Sequence, residues 1–241
     1  DLAKAKATGQ AESVLRDVGS SNIGAPNVSM SSTGTLVYTR PNRSRLVWVS
    51  RQGLETPVPY SLPNAYQFPR LTRDNKHYVV AAHGELFLES VERPLSKTIS
   101  DTFANFPVLT PNDQQVVFRT ARGLRVADVG QYNRGSTAIQ DTVSGDYPSA
   151  ILPDGTVAFT RLSSQAQGDV YLVPLRGGKP RPILQTPAHE GGLQFSPADA
   201  RIVTFASNKS GQMEVYVALA SDPEATMVPV SAPYGGTQPR W

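Results

Sequence analysis

HEGGLQFSPADARIVTFASNKSGQMEVYVALA, residues His189 to Ala220, holds four signals in a fixed order. Gly191-Gly192 leads into a short apolar strand centred on Phe195, and Ser196-Pro197-Ala198-Asp199 turns the chain. A second strand follows over Arg201 to Ala206, then a polar loop, Asn208-Lys209-Ser210-Gly211, and a third strand over Glu214 to Val217. Runs of alternating and β-branched residues bounded by Gly, Pro, Asn, Asp and Ser read as strands and turns.

The same order recurs towards the N-terminus. Tyr147 to Leu152 leads to the turn Pro153-Asp154-Gly155, then to strands at Val157 to Arg161 and Asp169 to Pro174. Before it come Phe106-Pro107-Val108-Leu109-Thr110, the turn Pro111-Asn112-Asp113, and strands at Gln115 to Arg119 and Leu124 to Asp128. Earlier still are Phe68-Pro69-Arg70-Leu71-Thr72, the turn Arg73-Asp74-Asn75, and strands at His77 to Ala82 and Glu85 to Ser90. The first unit has strands at Asn27 to Met30, Thr35 to Thr39, Leu46 to Ser50 and Glu55 to Val58. Tyr234 to Trp241 opens a further copy.

Val28, Leu71, Leu109, Ile151, Phe195 and Trp241 take the equivalent first-strand position, on average roughly 43 residues apart, which is the repeat length of a four-stranded propeller blade. A lone four-stranded sheet cannot bury both faces, so such units pack on their neighbours, and a radial arrangement leaves only short edges. The spacing predicts one all-β domain over 1–241, a six-bladed β-propeller. Five blades fall near 19–60, 61–100, 101–141, 142–186 and 187–231, and a sixth is shared between 232–241 and the N-terminal 1–18. Within 1–18, Leu2 to Lys6 and Ser13 to Val18 read as outer strands, with a short helix at Ala3 to Ala7 as the competing reading. An open or five-bladed ring is the competing arrangement.

The turns after the short apolar strands resemble the Ser-Pro-Asp-Gly turn of TolB-type propeller repeats, a pattern that WD-like propeller modules share. Four segments are similar to propeller sensor regions of bacterial serine/threonine kinase-like receptors: Ser20 to Ala25, Thr33 to Tyr38, Leu46 to Gly53 and Lys179 to Pro187. The resemblance implies a six-bladed ring with a binding or sensor role in a larger bacterial protein, in the periplasm or outside the cell. Asn112-Asp113, Ala198-Asp199 and Ser32 depart from the Asp-Gly pattern, which leaves the geometry of those turns open.

Composition narrows the function. With 39% hydrophobic and 18% charged residues, 20 Pro and 19 Gly, the chain is globular and rich in turns. A net charge of +3 without Lys/Arg runs gives no sign of a nucleic-acid partner. The absence of Cys excludes disulfides and thiolate chemistry. The longest apolar run, Tyr78 to Ala82, is far short of the ~20 residues that span a bilayer. No Gly-x-Ser-x-Gly elbow occurs, and His189-Glu190 lacks the second His of a zinc helix. Gly177-Gly178-Lys179 is followed by Pro180 and reads as a turn, not a phosphate loop. A three-histidine metal site would need His77, His83 and His189 together; no catalytic residue, metal or cofactor is expected.

In a propeller the loops that enter each first strand emerge on the same side as those joining the second and third strands. The entering positions are Asn22, Tyr66, Asn105, Tyr147, His189 with Glu190, and Tyr234, and they could stack on and hydrogen-bond a small molecule or peptide at a channel mouth. Packing of the blade tops is the other reading of Tyr66 and Tyr147. The second-to-third loops carry Arg40, Arg43, Arg45, Arg119, Arg122, Arg161 and Lys209, a basic rim that would favour an anionic peptide, sugar acid or protein patch. The functional expectation is a non-catalytic module binding a protein, peptide or small anionic ligand. A peptidase-associated propeller or a propeller lyase is the alternative. An incomplete blade could also accept a strand from a partner chain.

Overall fold

A computed structural model of the protein describes residues 28–30, 35–38, 44–62, 64–100, 102–130, 135–139, 141–163 and 167–241. These fall in two compact units. One holds an antiparallel pair, β1 (Val28–Met30) with β2 (Leu36–Tyr38), and a bridge between Ser44 and Asn64. The predicted strands Leu2 to Lys6 and Ser13 to Val18, and with them the shared blade, lie outside the described residues.

The other unit, Arg45–Leu62 with Tyr66–Trp241, opens with the hairpin β3 (Val47–Val49) and β4 (Glu55–Pro57). Four antiparallel sheets follow, each with its four strands in chain order. The first is β5 (Gln67–Leu71), β6 (His77–Ala82), β7 (Glu85–Ser90) and β8 (Ser96–Thr98). The second is β9 (Asn105–Leu109), β10 (Gln115–Thr120), β11 (Gly123–Asp128) and β12 (Thr137–Ala138). The third is β13 (Asp146–Ile151), β14 (Thr156–Leu162), β15 (Gly168–Pro174) and β16 (Arg181–Leu184). The fourth is β17 (Glu190–Phe195), β18 (Ile202–Ser207) and β19 (Glu214–Leu219); then one helical turn, α1 (Pro223–Thr226), precedes β20 (Val228–Pro229). Leu71, Leu109, Ile151 and Phe195 each end the first strand of a sheet, as their spacing predicts.

The turn α1 is absent from the sequence reading. Asp222 caps it by accepting from the Ala225 amide at 3.1 Å, with Pro223 at its first position. Tyr234 to Trp241 was expected to open an inner strand, but it runs as turns and irregular chain. A strand needs a hydrogen-bonded neighbour, and its expected partners lie outside the described residues. The segment is instead tied to β17, where the Trp241 indole Nε1 donates to the Gln194 carbonyl at 3.4 Å.

The sheets bury both faces because their second strands carry runs of buried apolar residues, and alternate residues face opposite neighbours. On β6, Tyr78 and Val80 pack with Leu46, Val58 and Tyr66, while Val79 and Ala81 pack with Val116 and Phe118 of the next sheet. Val117, Val157 and Phe159 fill the following gap, and Ala158, Val203 and Phe205 the one after it. First strands β5, β9, β13 and β17 neighbour one another in that order. Phe118, Phe159 and Phe205 are wholly buried, each stabilising by roughly 2 to 3 kcal/mol.

The turns between first and second strands share one hydrogen-bond scheme despite different residues. Asp74, Asn112 and Asp154 each accept, through Oδ1, from the amide two residues on, at 2.9, 3.1 and 2.8 Å. The residue after each, Asn75, Asp113 or Gly155, has positive φ of 58°, 58° and 83°. Asn112-Asp113 therefore keeps the geometry of Asp154-Gly155, since Asn and Asp tolerate the left-handed region. In the fourth sheet the turn is longer, and Asp199 Oδ1 accepts from the Arg201 amide.

A second device recurs. Every one of β5, β9, β13 and β17 carries a register shift against its second strand. In three of them a left-handed residue marks it: Phe68 (φ 52°), Phe106 (φ 53°) and Gly192 (φ 67°). Such bulges bend a strand and re-aim the next side chains. Gln238 (φ 54°), before Pro239, repeats the conformation of Phe68 before Pro69.

Candidate functional site

At one end of the four sheets, here the leading end, the chain enters each first strand and the second-to-third loops turn. Asn22, Arg40 and Arg43 lie outside the described residues. The structure brings Asn105, Arg119 and Tyr147 together. Asn105 opens β9 opposite Arg119, whose guanidinium stands 4.6 Å from the centre of the Tyr147 ring and donates through Nε to the Ser144 carbonyl at 3.1 Å. Among the described residues the buried Asn105 Oδ1 has no hydrogen-bond partner. Tyr147 also meets Phe106 edge-on at 5.0 Å, and Phe106 stacks on Phe68 at 3.9 Å. An aromatic arc thus runs across three consecutive first strands.

Tyr66 behaves differently. Its ring packs in the cluster of Val58, Tyr78 and Val80, and its hydroxyl donates to Glu89 Oε2 at 3.3 Å. Glu89 stands opposite Tyr78, which itself faces Leu71 at the far end of β5, so this phenol reaches away from the leading end. Burial first, and then the Glu89 charge, push the Tyr66 hydroxyl above its usual pKa. Of the two readings of this tyrosine, packing is the one the contacts satisfy.

His189 closes the joint between the third and fourth sheets. Its Nδ1 accepts from the Gly168 amide at 3.0 Å, and its own amide donates to Asn208 Oδ1 at 2.8 Å. A Cβ at Gly168 would come within 2.7 Å of the Glu190 carbonyl, so only glycine lets the two sheets approach this closely. Glu190 is 0% exposed. Thr186 Oγ1 donates to its Oε1 at 2.5 Å and Ser207 Oγ donates at 3.4 Å, while Oε2 has no hydrogen-bond partner among the described residues. Desolvation outweighs these hydrogen bonds and raises its pKa.

The expected basic rim divides into two sets. Arg161 is an ion-pair member: its Nε and Nη2 donate to Asp146 Oδ1 and Oδ2, both at 2.7 Å, and Asp146 is 0% exposed. That hydrogen-bonded pairing raises the Arg161 pKa. Its guanidinium also lies 5.3 and 5.2 Å from the Phe159 and Tyr171 ring centres. Arg45, Arg122 and Lys209 are exposed. Tyr234 is 95% exposed and lies beyond β20. His77 opens β6 and His83 follows its end, so the strand holds them roughly 20 Å apart, too far for one metal ion.

Two grooves open at the opposite, trailing end, between first-to-second turns of successive sheets. One, of about 530 Å³, is lined by Arg73, Pro111, Ile151, Leu152, Pro153 and Leu175. The other, of about 440 Å³, is lined by Leu152, Pro153, Arg181, Ile183, Phe195 and Ala220. Sequence reasoning also missed Asp146 and the side chains set by the bulges, Arg70 and Gln194. Their signal is the alignment of units: Asp146 and Glu190 sit at one repeat position, and a Pro-Arg step recurs at Pro69-Arg70 and Pro239-Arg240.

Successive four-stranded antiparallel sheets, packed face to face with neighbouring first strands, define a β-propeller. No protein-family model matches the sequence, and no curated protein matches it. Similar solved structures include a TolB-assigned protein from Agrobacterium tumefaciens, 16% identical with a TM-score of 0.68, covering 80% of this chain and 71% of that one. TolB from Acinetobacter baumannii is 14% identical with a TM-score of 0.63, over 78% of this chain and 48% of its own. An oligogalacturonate lyase in complex with manganese is 16% identical with a TM-score of 0.51, over 70% and 54%. The chain has the β-propeller fold of the TolB structures. Among the described residues no helix is long and apolar enough to cross a membrane.

Proposed function

We propose that this chain is a non-catalytic binding module, a single six-bladed propeller whose leading end takes a protein, a peptide or a small anionic ligand. The observation that carries the reading is the meeting of Asn105, Arg119 and Tyr147, an unpartnered amide oxygen, a cation and an aromatic face within one patch. His189, Glu190 and Tyr234 join Asn22 in the proposed mouth, while Tyr66 keeps its packing role. The exposed Arg45, Arg122 and Lys209, with Arg40 and Arg43, supply the proposed rim. Charges of this kind steer acidic partners and weaken with salt. The TolB-like fold supports a place in the periplasm or outside the cell, as part of a larger bacterial protein.

The test is capture of acidic and basic peptides by the immobilised chain. Acidic peptides are expected to bind preferentially and to be released as salt rises. Tyr147→Ala, and the double reversal Arg122→Glu with Lys209→Glu, are each expected to weaken capture at least tenfold. Equal capture of both peptide classes, or capture unchanged in those variants, removes the leading end from consideration.

A further inference from the structure

The leading-end patch sets its donors and acceptors in an order that narrows the ligand. Antiparallel register places Asn105 opposite Arg119, which brings their Cβ atoms to within about 5.5 Å of each other. From there the Arg119 side chain crosses to the third sheet. Its Nε donates to the Ser144 carbonyl at 3.1 Å, and its guanidinium carbon lies 4.6 Å from the centre of the Tyr147 ring. Two anchors on a neighbouring sheet thus fix the plane of the group before any ligand arrives. With Nε and one face so committed, the edge formed by Nη1 and Nη2 remains to receive a ligand, and that edge matches the two oxygens of a carboxylate.

Asn105 supplies the complementary acceptor. Its Oδ1 is buried with no hydrogen-bond partner among the described residues, while the residue as a whole is half-buried. An amide oxygen with no bond to give up turns about the broad χ2 torsion at little cost, so a donor arriving beside Arg119 can claim it. Apolar surface completes the patch. Phe106 meets Tyr147 edge-on at 5.0 Å and stacks on Phe68 at 3.9 Å, and all three residues are half-buried. Phe68 and Phe106 hold φ of 52° and 53°, a region that bulky residues seldom occupy, so these rings are kept in line at a cost to the backbone.

A ligand that satisfies all three features needs a carboxylate, an N–H donor one carbon away from it, and an apolar group on that same carbon. Phosphate carries no such donor. The side-chain carboxylate of Asp or Glu stands at least two carbons from its own amide nitrogen. The last residue of a peptide has all three in place: its terminal carboxylate, its amide N–H and its side chain.

We propose that the leading-end patch binds the C-terminal end of a peptide. Arg119 holds the terminal carboxylate, Asn105 accepts from the last amide N–H, and an aliphatic or aromatic last side chain lies against Tyr147 and Phe106. This rests on the peptide-binding reading above and narrows it to one end of the partner chain.

The experiment is fluorescence-polarisation binding of dye-labelled acidic heptapeptides to the full chain. Each ends in Leu, Phe or Gly with a free C-terminus, and each has an amidated twin with one extra Asp to match its net charge. Free peptides ending in Leu or Phe are expected to bind about tenfold or more tightly than their twins, and more tightly than the free Gly peptide. Arg119→Lys keeps the charge but loses the fork, and is expected to remove most of the preference for the free end. The rim reversal Arg122→Glu with Lys209→Glu is expected to weaken both forms alike and leave their ratio unchanged. Methylating the last peptide nitrogen removes the donor, which is expected to weaken binding to the parent and to make no further difference in Asn105→Ala. The two peptide modifications act on the unaltered protein, so they decide the matter even where a variant fails to fold. Equal binding of free and amidated peptides by the parent, with Tyr147→Ala weakening both, would overturn the proposal and leave the leading end as a peptide site. No binding of any peptide would overturn both readings. A preference for the free end that survives Arg119→Lys intact would also overturn the proposal, since the fork would then not hold the carboxylate.

Discussion

Asp146 and Glu190 occupy one repeat position in adjacent sheets, and each is wholly buried. The register sets Asp146 opposite Arg161 and Glu190 opposite Ser207. Asp146 receives a two-pronged guanidinium and a backbone amide, from Val143 at 2.8 Å. Glu190 receives two hydroxyls on Oε1 and, among the described residues, no hydrogen bond on Oε2. One difference on the facing strand, Arg or Ser, thus separates a carboxylate held in an ion pair from one whose pKa burial raises. The fold fixes where an acid stands, and the neighbouring strand decides its partner.

The largest effect should come from breaking the satisfied pair. Arg161→Met leaves Asp146 buried without its cation, and urea unfolding is expected to show a loss of about 3 kcal/mol. A loss below about 1 kcal/mol would mean that Asp146 reaches water despite its burial. Next comes the joint beside Glu190. Gly168→Ala drives a Cβ against the Glu190 carbonyl and Thr160, and is expected to cost about 2 kcal/mol in the same assay.

Glu190→Gln sharpens the comparison through pH. The pKa of Glu190 is raised by folding, so its contribution is intact below the unfolded value of 4.5 and is lost as pH rises through the folded value. Parent stability measured from pH 4 to 8 should therefore fall relative to the Gln variant, which crosses the window without a charge to bury. A difference between the two proteins that stays flat with pH would show that folding leaves the Glu190 pKa unchanged. The smallest effect is expected at Ser207→Ala. It removes the long 3.4 Å bond to Glu190 and the 3.2 Å bond that Oγ accepts from the Lys209 amide, and should cost about 1 kcal/mol, whereas a loss like that of Arg161→Met would make Ser207 the true partner of the carboxylate.

Strands β6 and β7 stand at the boundaries read from the sequence, His77 to Ala82 and Glu85 to Ser90. Alternation and turn residues are local properties, so they survive without knowledge of the neighbours. The outer strands were harder: β12 and β20 are two residues each and carry no periodicity to read. The site was legible only in part. Asn105, Arg119 and Tyr147 were named for their loops and do meet. Arg161 was named for its loop as well, yet its side chain turns to Asp146, because a buried carboxylate attracts the nearest cation more strongly than solvent does.

By itself the sequence determined the all-β class, the repeat of about 43 residues and the residue that ends the first strand of each four-stranded sheet, since these rest on short-range periodicity and turn chemistry. Only the tertiary structure decided which charges pair and which tyrosine is spent on packing. Those outcomes depend on side chains brought together from distant units, and distance along the chain says nothing about which donor reaches which acceptor first.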